Sequence, residues 1–247
     1  HNDNTKTKRL YTQRFDLLGN HISTKLLWQD TVGIGIWEDF VYRVGNEYIL
    51  MFMSPHPENK DAVGYNLLKF KPDGTVLWHK TFYNKTYPKT ALTHVSALIP
   101  TPDGGYLVAG GLNTPTYKDF NQIYAAKHNA IGEQIWEKTY TSDTTDVYYI
   151  KGLKTHAWDS MVDEDGNYVL YCTKYGGYYP WPFPYEQKSD LHLIKINPDG
   201  EVLWEHTYAD SSSNAYLYQD IVSLPNGNYF FMMGEDSVHY YTKGLHI

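Results

Sequence analysis

The segment Ile194-Lys-Ile-Asn-Pro-Asp-Gly200-Glu-Val-Leu-Trp204-Glu-His-Thr207 decides the fold, because it recurs. Related segments run Leu68-Lys-Phe-Lys-Pro-Asp-Gly74-Thr-Val-Leu-Trp78-His-Lys-Thr81 and Ala126-Lys-His-Asn-Ala-Ile-Gly132-Glu-Gln-Ile-Trp136-Glu-Lys-Thr139. An earlier copy is Phe15-Asp-Leu-Leu-Gly19 leading to Leu26-Leu27-Trp28. Apolar residues alternate with period two on either side of each glycine, which is strand period. Pro-Asp-Gly between two such runs is a hairpin turn, since glycine accepts the positive φ that these turns require.

A second signature alternates with the first. It reads Gly45-Asn-Glu-Tyr48, Asp103-Gly-Gly-Tyr106, Asp165-Gly-Asn-Tyr168 and Asn226-Gly-Asn-Tyr229, each followed by an apolar strand. Its tyrosines are 58, 62 and 61 residues apart. Repeats of that period point to stacked or radial units. Each unit holds four strands; in the second they fall at about 92–100, 104–111, 120–128 and 133–140. Such a meander cannot bury both faces alone, whereas radial closure buries them and protects the edges. The expectation is therefore all-β: one β-propeller domain over residues 1–247, with four-stranded antiparallel blades. Four second-strand signatures give about four blades; five blades, or a piece of a larger ring, also satisfy the count. The N-terminus supplies third- and fourth-strand-like runs (about 10–17 and 24–31). The C-terminus supplies first- and second-strand runs (about 216–224 and 228–234) and a surplus run, Val238 to Gly244. Joining the two ends completes a blade.

Composition narrows the function. Aromatics make up 16% of the chain, with 24 Tyr and 7 Trp, which suits sheets. The net charge of −7 argues against a nucleic-acid partner. No apolar run is long enough to cross a bilayer as a helix. The single cysteine, Cys172, lies in an apolar strand, excludes an intramolecular disulfide and reads as a buried inert thiol. There is no GxSxG, HExxH, CxxC, P-loop or dinucleotide fingerprint, and no metal or cofactor is assigned.

The runs Leu193–Tyr208 and Pro102–Gly110 resemble the secreted and lipid-anchored β-propeller repeats of Bacteroidota-type bacteria, over nearly the whole chain. A weaker likeness runs to quinoprotein-type propeller repeats, whose cofactor residues find no match here. The resemblance implies an exported protein, periplasmic or on the cell surface, with an outer-membrane lipid anchor upstream of residue 1 as one form. Four short Asp-Ser/Thr motifs fit the O-glycosylation pattern of such bacteria, at Asp30-Thr31-Val32, Asp143-Thr144-Thr145, Asp159-Ser160-Met161 and Asp236-Ser237-Val238. At least one of them is expected to be buried.

In a propeller the second-to-third and fourth-to-first connections share a face. Here those are the long ones, at about 54–64, 112–120, 174–189 and 234–237, and at about 84–91, 141–155 and 209–215. The face they form is the expected recognition surface. Its most distinctive loop is Lys174–Tyr185, carrying Tyr175, Tyr178, Tyr179, Trp181, Phe183 and Tyr185; Trp158, beside Asp159, is counted with them as a contact residue. Three prolines stiffen it, and rigid aromatics are good anchors for a protein partner or a sugar. The other reading folds this loop inward as packing. Asp39, Ala97, Asp159 and Asp220 lie nine residues before the successive tyrosines, with His94 close by, and are expected to line the channel. The carboxylates cap their own blades, hold a cation, or serve glycoside chemistry. Non-catalytic protein binding is the favoured function; glycan binding, or a glycoside hydrolase or lyase, is the alternative. The repeated Trp reads as a wedge between neighbouring sheets.

Overall fold

The computed structural model describes residues 9–29, 37–55, 63–83, 92–112, 122–140, 155–176, 188–208, 214–216, 221–224, 228–231, 234–237 and 241–242. They form nineteen strands and, among the described residues, no helix. The chain divides into two compact units, residues 1–92 and 93–247.

In the first unit, β1 (Arg9–Phe15) and β2 (His21–Gln29) form a hairpin. The meander β3 (Trp37–Val44), β4 (Glu47–Pro55), β5 (Val63–Phe70) and β6 (Val76–Phe82) forms a four-stranded antiparallel sheet in chain order. The second unit repeats it twice: β7 (Leu92–Pro100), β8 (Tyr106–Leu112), β9 (Gln122–His128) and β10 (Gln134–Tyr140), then β11 (Thr155–Val162), β12 (Tyr168–Gly176), β13 (Lys188–Ile196) and β14 (Val202–Tyr208). Short strands follow. β15 (Asn214–Tyr216), β18 (Gly234–Ser237) and β19 (Tyr241–Thr242) form one sheet, ordered β15-β18-β19; β16 (Ile221–Ser223) and β17 (Tyr229–Phe231) form another.

The expected strands of the second repeat lie within about two residues of β7–β10. Differences concentrate where strands meet the long connections. The ladder between β12 and β13 continues to Tyr175↔Ser189 and Gly176↔Lys188, so the aromatic loop is narrower than 174–189 and Tyr175 belongs to its strand stem. Residues 234–237, expected as a connection, form β18, because β15 and β19 supply backbone partners on its two sides. The run expected at about 216–224 is divided between β15 and β16.

Six of the tight turns share one geometry. In the β5–β6 turn, Gly74 N–H donates to Lys71 O (2.8 Å) and Lys71 N–H to Thr75 O (2.9 Å), leaving Pro72-Asp73-Gly74 as a three-residue loop. Gly74 has φ +80°, the left-handed conformation that ends a type I turn with a bulge. The same bond pair closes the turns starting at Asp16, Thr101, Asn129, Asp163 and Asn197. An Asx side chain satisfies the inner amides. Asn197 Oδ1, for example, accepts from Asp199 N (3.0 Å) and Glu201 N (2.8 Å), whereas Asp73 accepts from Thr75 N (2.8 Å).

Within the second unit the two four-stranded sheets pack face to face. Leu107, Ala109, Ile123 and Ala125 of one sheet meet Leu170, Cys172, Ile194 and Ile196 of the next, all fully buried. Burying each Leu or Ile contributes about 1.5–3 kcal/mol. The repeated tryptophan is the wedge that composition and spacing predict. Trp136 packs on this core, its Nε1–H donating to Pro198 O of the following turn at 2.9 Å. Trp28 stands edge-on to Phe52 at 4.9 Å, and Trp204 packs with Tyr229 over Met161, Val169, Tyr171 and Leu193. Turn and wedge are matched: a Cβ at Gly200 would lie 3.1 Å from the Trp136 ring.

Candidate functional site

Each complete meander has two unlike ends. At one end lie the tight turns: Gly45-Asn46, the Thr101 and Asp163 turns, and the turns after β5, β9 and β13. At the other end lie the longer connections, 56–62, 83–91, 113–121, 141–154 and 177–187. This polarity follows from topology alone, since in a meander the second-to-third connection and the exit from the fourth strand lie at the same end.

Among the expected contact residues, Tyr175 lies on β12 opposite Ser189. Tyr178, Tyr179, Trp181, Phe183 and Tyr185 lie outside the described residues, as does Asp220. Trp158, Asp159, Asp39 and His94 are placed on first strands of their sheets: β11, β11, β3 and β7. Asp39 lies opposite Phe52 and Asp159 opposite Tyr171. Each follows a residue that the partner strand skips, Glu38 and Trp158 respectively. A bulge at the same repeat position in two sheets re-aims the strand there, and such bulges concentrate beside functional sites. Ala97, at the corresponding place in β7, is buried. Asp39 falls in the first unit and Asp159 in the second.

Two polar features went unrecognised in the sequence. The first is a lysine clamp. In each meander a third-strand lysine reaches a carboxylate at or next to the first turn: Lys69–Glu47, on the first residue of β4 (2.8 Å), Lys127–Asp103 (2.8 Å) and Lys195–Asp163 (2.6 Å). Lys127 Nζ donates to both Asp103 oxygens (2.8 Å each) and to Thr101 Oγ1 (2.9 Å). Partial burial alone would raise the Asp103 pKa; the bonds from Lys127, Thr101 and Gly105 N–H outweigh it and hold the carboxyl at about 2. Burial also resists ionisation of Asp163, but Lys195 and the Asn167 and Asp165 amides bring its pKa below the usual range. Tyr229 adds its hydroxyl to Asp163 Oδ2 at 3.3 Å. The acidic stretch from Asp163 to Asn167 is thus a turn whose first carboxylate is already engaged by Lys195 and two amides. The signal was present: each of these lysines lies nine residues before its repeat Trp.

The second feature is a polar residue twelve positions before each Trp: Asn66, Tyr124 and His192. Asn66 donates to Ser54 Oγ (2.7 Å), and its Oδ1 is bonded to His79 Nε2 (2.9 Å) and Thr81 Oγ1 (2.7 Å). Tyr124 donates to Glu137 Oε2 (3.3 Å). His192 Nδ1 is hydrogen-bonded to Thr207 Oγ1 (2.8 Å), with Glu205 3.6 Å from Nε2. Burial pushes the His79 pKa down. These groups join third to fourth strands and satisfy polar atoms inside the sheet stack.

Cys172 is buried, and burial pushes its thiol pKa up. Ser160, in one of the four Asp-Ser/Thr motifs, is buried as expected of at least one of them. Among the described residues no three His, Cys, Asp or Glu side chains are grouped to hold a metal ion, and no helix is long and apolar enough to cross a membrane. No protein-family model matches the chain, and no curated protein matches it.

Proposed function

We propose that residues 1–247 form a single four-bladed β-propeller that acts as a non-catalytic binding or scaffold module of an exported complex, periplasmic or at the cell surface. It holds a protein partner on the face made by the long connections. The observation that carries this reading is the polarity of the three meanders, with hydrogen-bonded tight turns at one end and long connections at the other. Rigid sheets that present variable loops on one side are built for recognition.

Segment 177–187 is the anchor. It holds Tyr178, Tyr179, Trp181, Phe183 and Tyr185 among three prolines, on a stem paired as far as Gly176↔Lys188. Aromatics in a proline-stiffened segment lose little entropy on contact. Trp28, Trp136 and Trp204 are committed to packing, so a row of repeat tryptophans is not available for stacking on a ligand.

The test compares the chain with Tyr179→Ala/Trp181→Ala in binding to solubilised envelope proteins from its own organism, titrated at modest salt. Saturable binding to one identified protein, weakened at least roughly tenfold in the variant at unchanged circular dichroism, is expected; about 1.4 kcal/mol suffices for that factor. Equal binding by both chains would sink the assignment. Binding competed by free sugar would replace the protein partner with a glycan.

A further inference from the structure

The β1–β2 hairpin departs from its counterparts in length. Its turn glycine, Gly19, lies nine residues before Trp28, whereas Gly74, Gly132 and Gly200 lie four before Trp78, Trp136 and Trp204. A Cβ at Gly74 would meet Thr12 Oγ1 at 2.8 Å and Lys25 Cβ at 2.9 Å, so the β5–β6 turn ends level with the Thr12↔Lys25 pair. On one side of that level Leu10, Leu27 and Trp28 pack on the core of Leu50, Phe52, Leu68 and Phe70. On the other side three further pairs, Gln13↔Thr24, Arg14↔Ser23 and Phe15↔His21, run on before the chain turns. At about 3.4 Å per residue they carry the tip roughly 10 Å beyond the neighbouring turn.

The tip is apolar where most of its counterparts are polar. The two central residues of this turn are Leu17 and Leu18; the same places elsewhere hold Pro72-Asp73, Pro102-Asp103, Ala130-Ile131, Glu164-Asp165 and Pro198-Asp199. Turn geometry favours proline and Asx residues there and gives no reason for two leucines. Leu17 is fully exposed and Leu18 is 87% exposed, while Phe15 and Ile22 each expose more than half of their surface. The backbone of the tip is already satisfied: the amides of Asp16, Leu18, Gly19 and Asn20 all bond within the turn, two of them to Asp16 Oδ1. Paired backbone with leucines outermost is what an apolar medium requires of an inserted element. Charge adds to this. Residues 1–29 hold five of the chain's 21 Lys and Arg but only two of its 28 Asp and Glu, a basic segment in a chain of net charge −7. Exposed Arg14 stands directly behind the tip.

We propose that the β1–β2 tip is a membrane-docking element that enters the interface of an anionic phospholipid bilayer. Phe15, Leu17, Leu18 and Ile22 enter the boundary between headgroups and acyl chains, and the overhang matches the depth of about 5–10 Å that interfacial elements reach. Arg14 meets the lipid phosphates; Lys25, 4.0 Å from Asp73, is partly neutralised. Shape favours a bilayer over a second copy. A protruding tip offers on the order of 400 Å², about half of what each partner of a stable interface buries. The inference rests on the first unit alone. It uses the tight-turn end of the β3–β6 meander, so the long connections at the other end stay open to a partner.

The experiment mixes the full chain with vesicles of equal parts phosphatidylcholine and phosphatidylglycerol, or of phosphatidylcholine alone, and measures co-sedimentation. Stronger binding to the mixed vesicles is expected. Leu17→Ser/Leu18→Ser should weaken it at least roughly tenfold, and Arg14→Gln roughly fivefold, the share of one cation near an anionic surface. Val202→Ser/Leu203→Ser removes another half-exposed apolar pair and should leave binding unchanged. No binding to mixed vesicles, or equal losses in the two serine variants, would overturn the inference. Equal binding to both kinds of vesicle would remove the anionic preference and overturn it as well. A dimer that forms without lipid and is lost in Leu17→Ser/Leu18→Ser would assign the tip to a second copy instead. A readout that does not depend on the serine variants places an environment-sensitive fluorophore on Leu18→Cys, Cys172 being buried. A blue shift with mixed vesicles is expected, and unchanged emission would refute insertion.

Discussion

Removing either member of the Lys127–Asp103 pair should have unequal effects. Asp103→Asn leaves an ammonium whose side chain is 3% exposed, whereas Lys127→Met leaves a carboxylate that is 58% exposed. The Asp103 pKa falls from 3.8 to about 2. At about 1.36 kcal/mol per unit that shift has a ceiling of about 2.4 kcal/mol, and solvent screening of the exposed carboxylate brings it to about 1–2 kcal/mol. Because the folded pKa is the lower one, this stabilisation is complete above pH 3.8 and is lost as pH falls through about 2. Lys127→Met forfeits only the part that Lys127 supplies, about 1 kcal/mol, because Thr101 and the Gly105 N–H still bond the carboxylate. Asp103→Asn adds the cost of a buried charge held only by Thr101 Oγ1, His128 O and an amide, for a total of about 2–4 kcal/mol. The double variant should recover about 1 kcal/mol or more of the summed losses. Urea unfolding at pH 7, repeated near pH 2, measures all three. A larger loss for Lys127→Met than for Asp103→Asn would refute the argument. So would an Asp103→Asn loss that is unchanged at the acid end.

Gly200→Ala and Gly166→Ala share a positive φ, but only the Gly200 Cβ would crowd Trp136 and Lys138. Backbone strain of about 1 kcal/mol is expected at Gly166 and about 2–3 kcal/mol at Gly200, read from urea midpoints; equal losses would show that the turn does not dock on the wedge. Cys172 should resist a thiol reagent at pH 8 in the folded chain and react rapidly in denaturant, and equal rates in both states would place it at the surface.

Local chemistry alone determined the strands, the turns and the wedge. Period-two alternation, turn glycines and a recurring Trp depend on neighbours in sequence, and β7–β10 lie close to where those signals place them. Partners distant in the chain decided the rest. Tyr175 is a strand residue because Ser189 pairs with it, and Gly234–Ser237 is a strand because β15 and β19 flank it. The bulges at Glu38 and Trp158 are visible only once two strands are set in register. Lys127 is buried only because a turn twenty-four residues earlier brings a carboxylate to it. Burying a charge requires a counter-charge in three dimensions, and one-dimensional spacing does not carry that information.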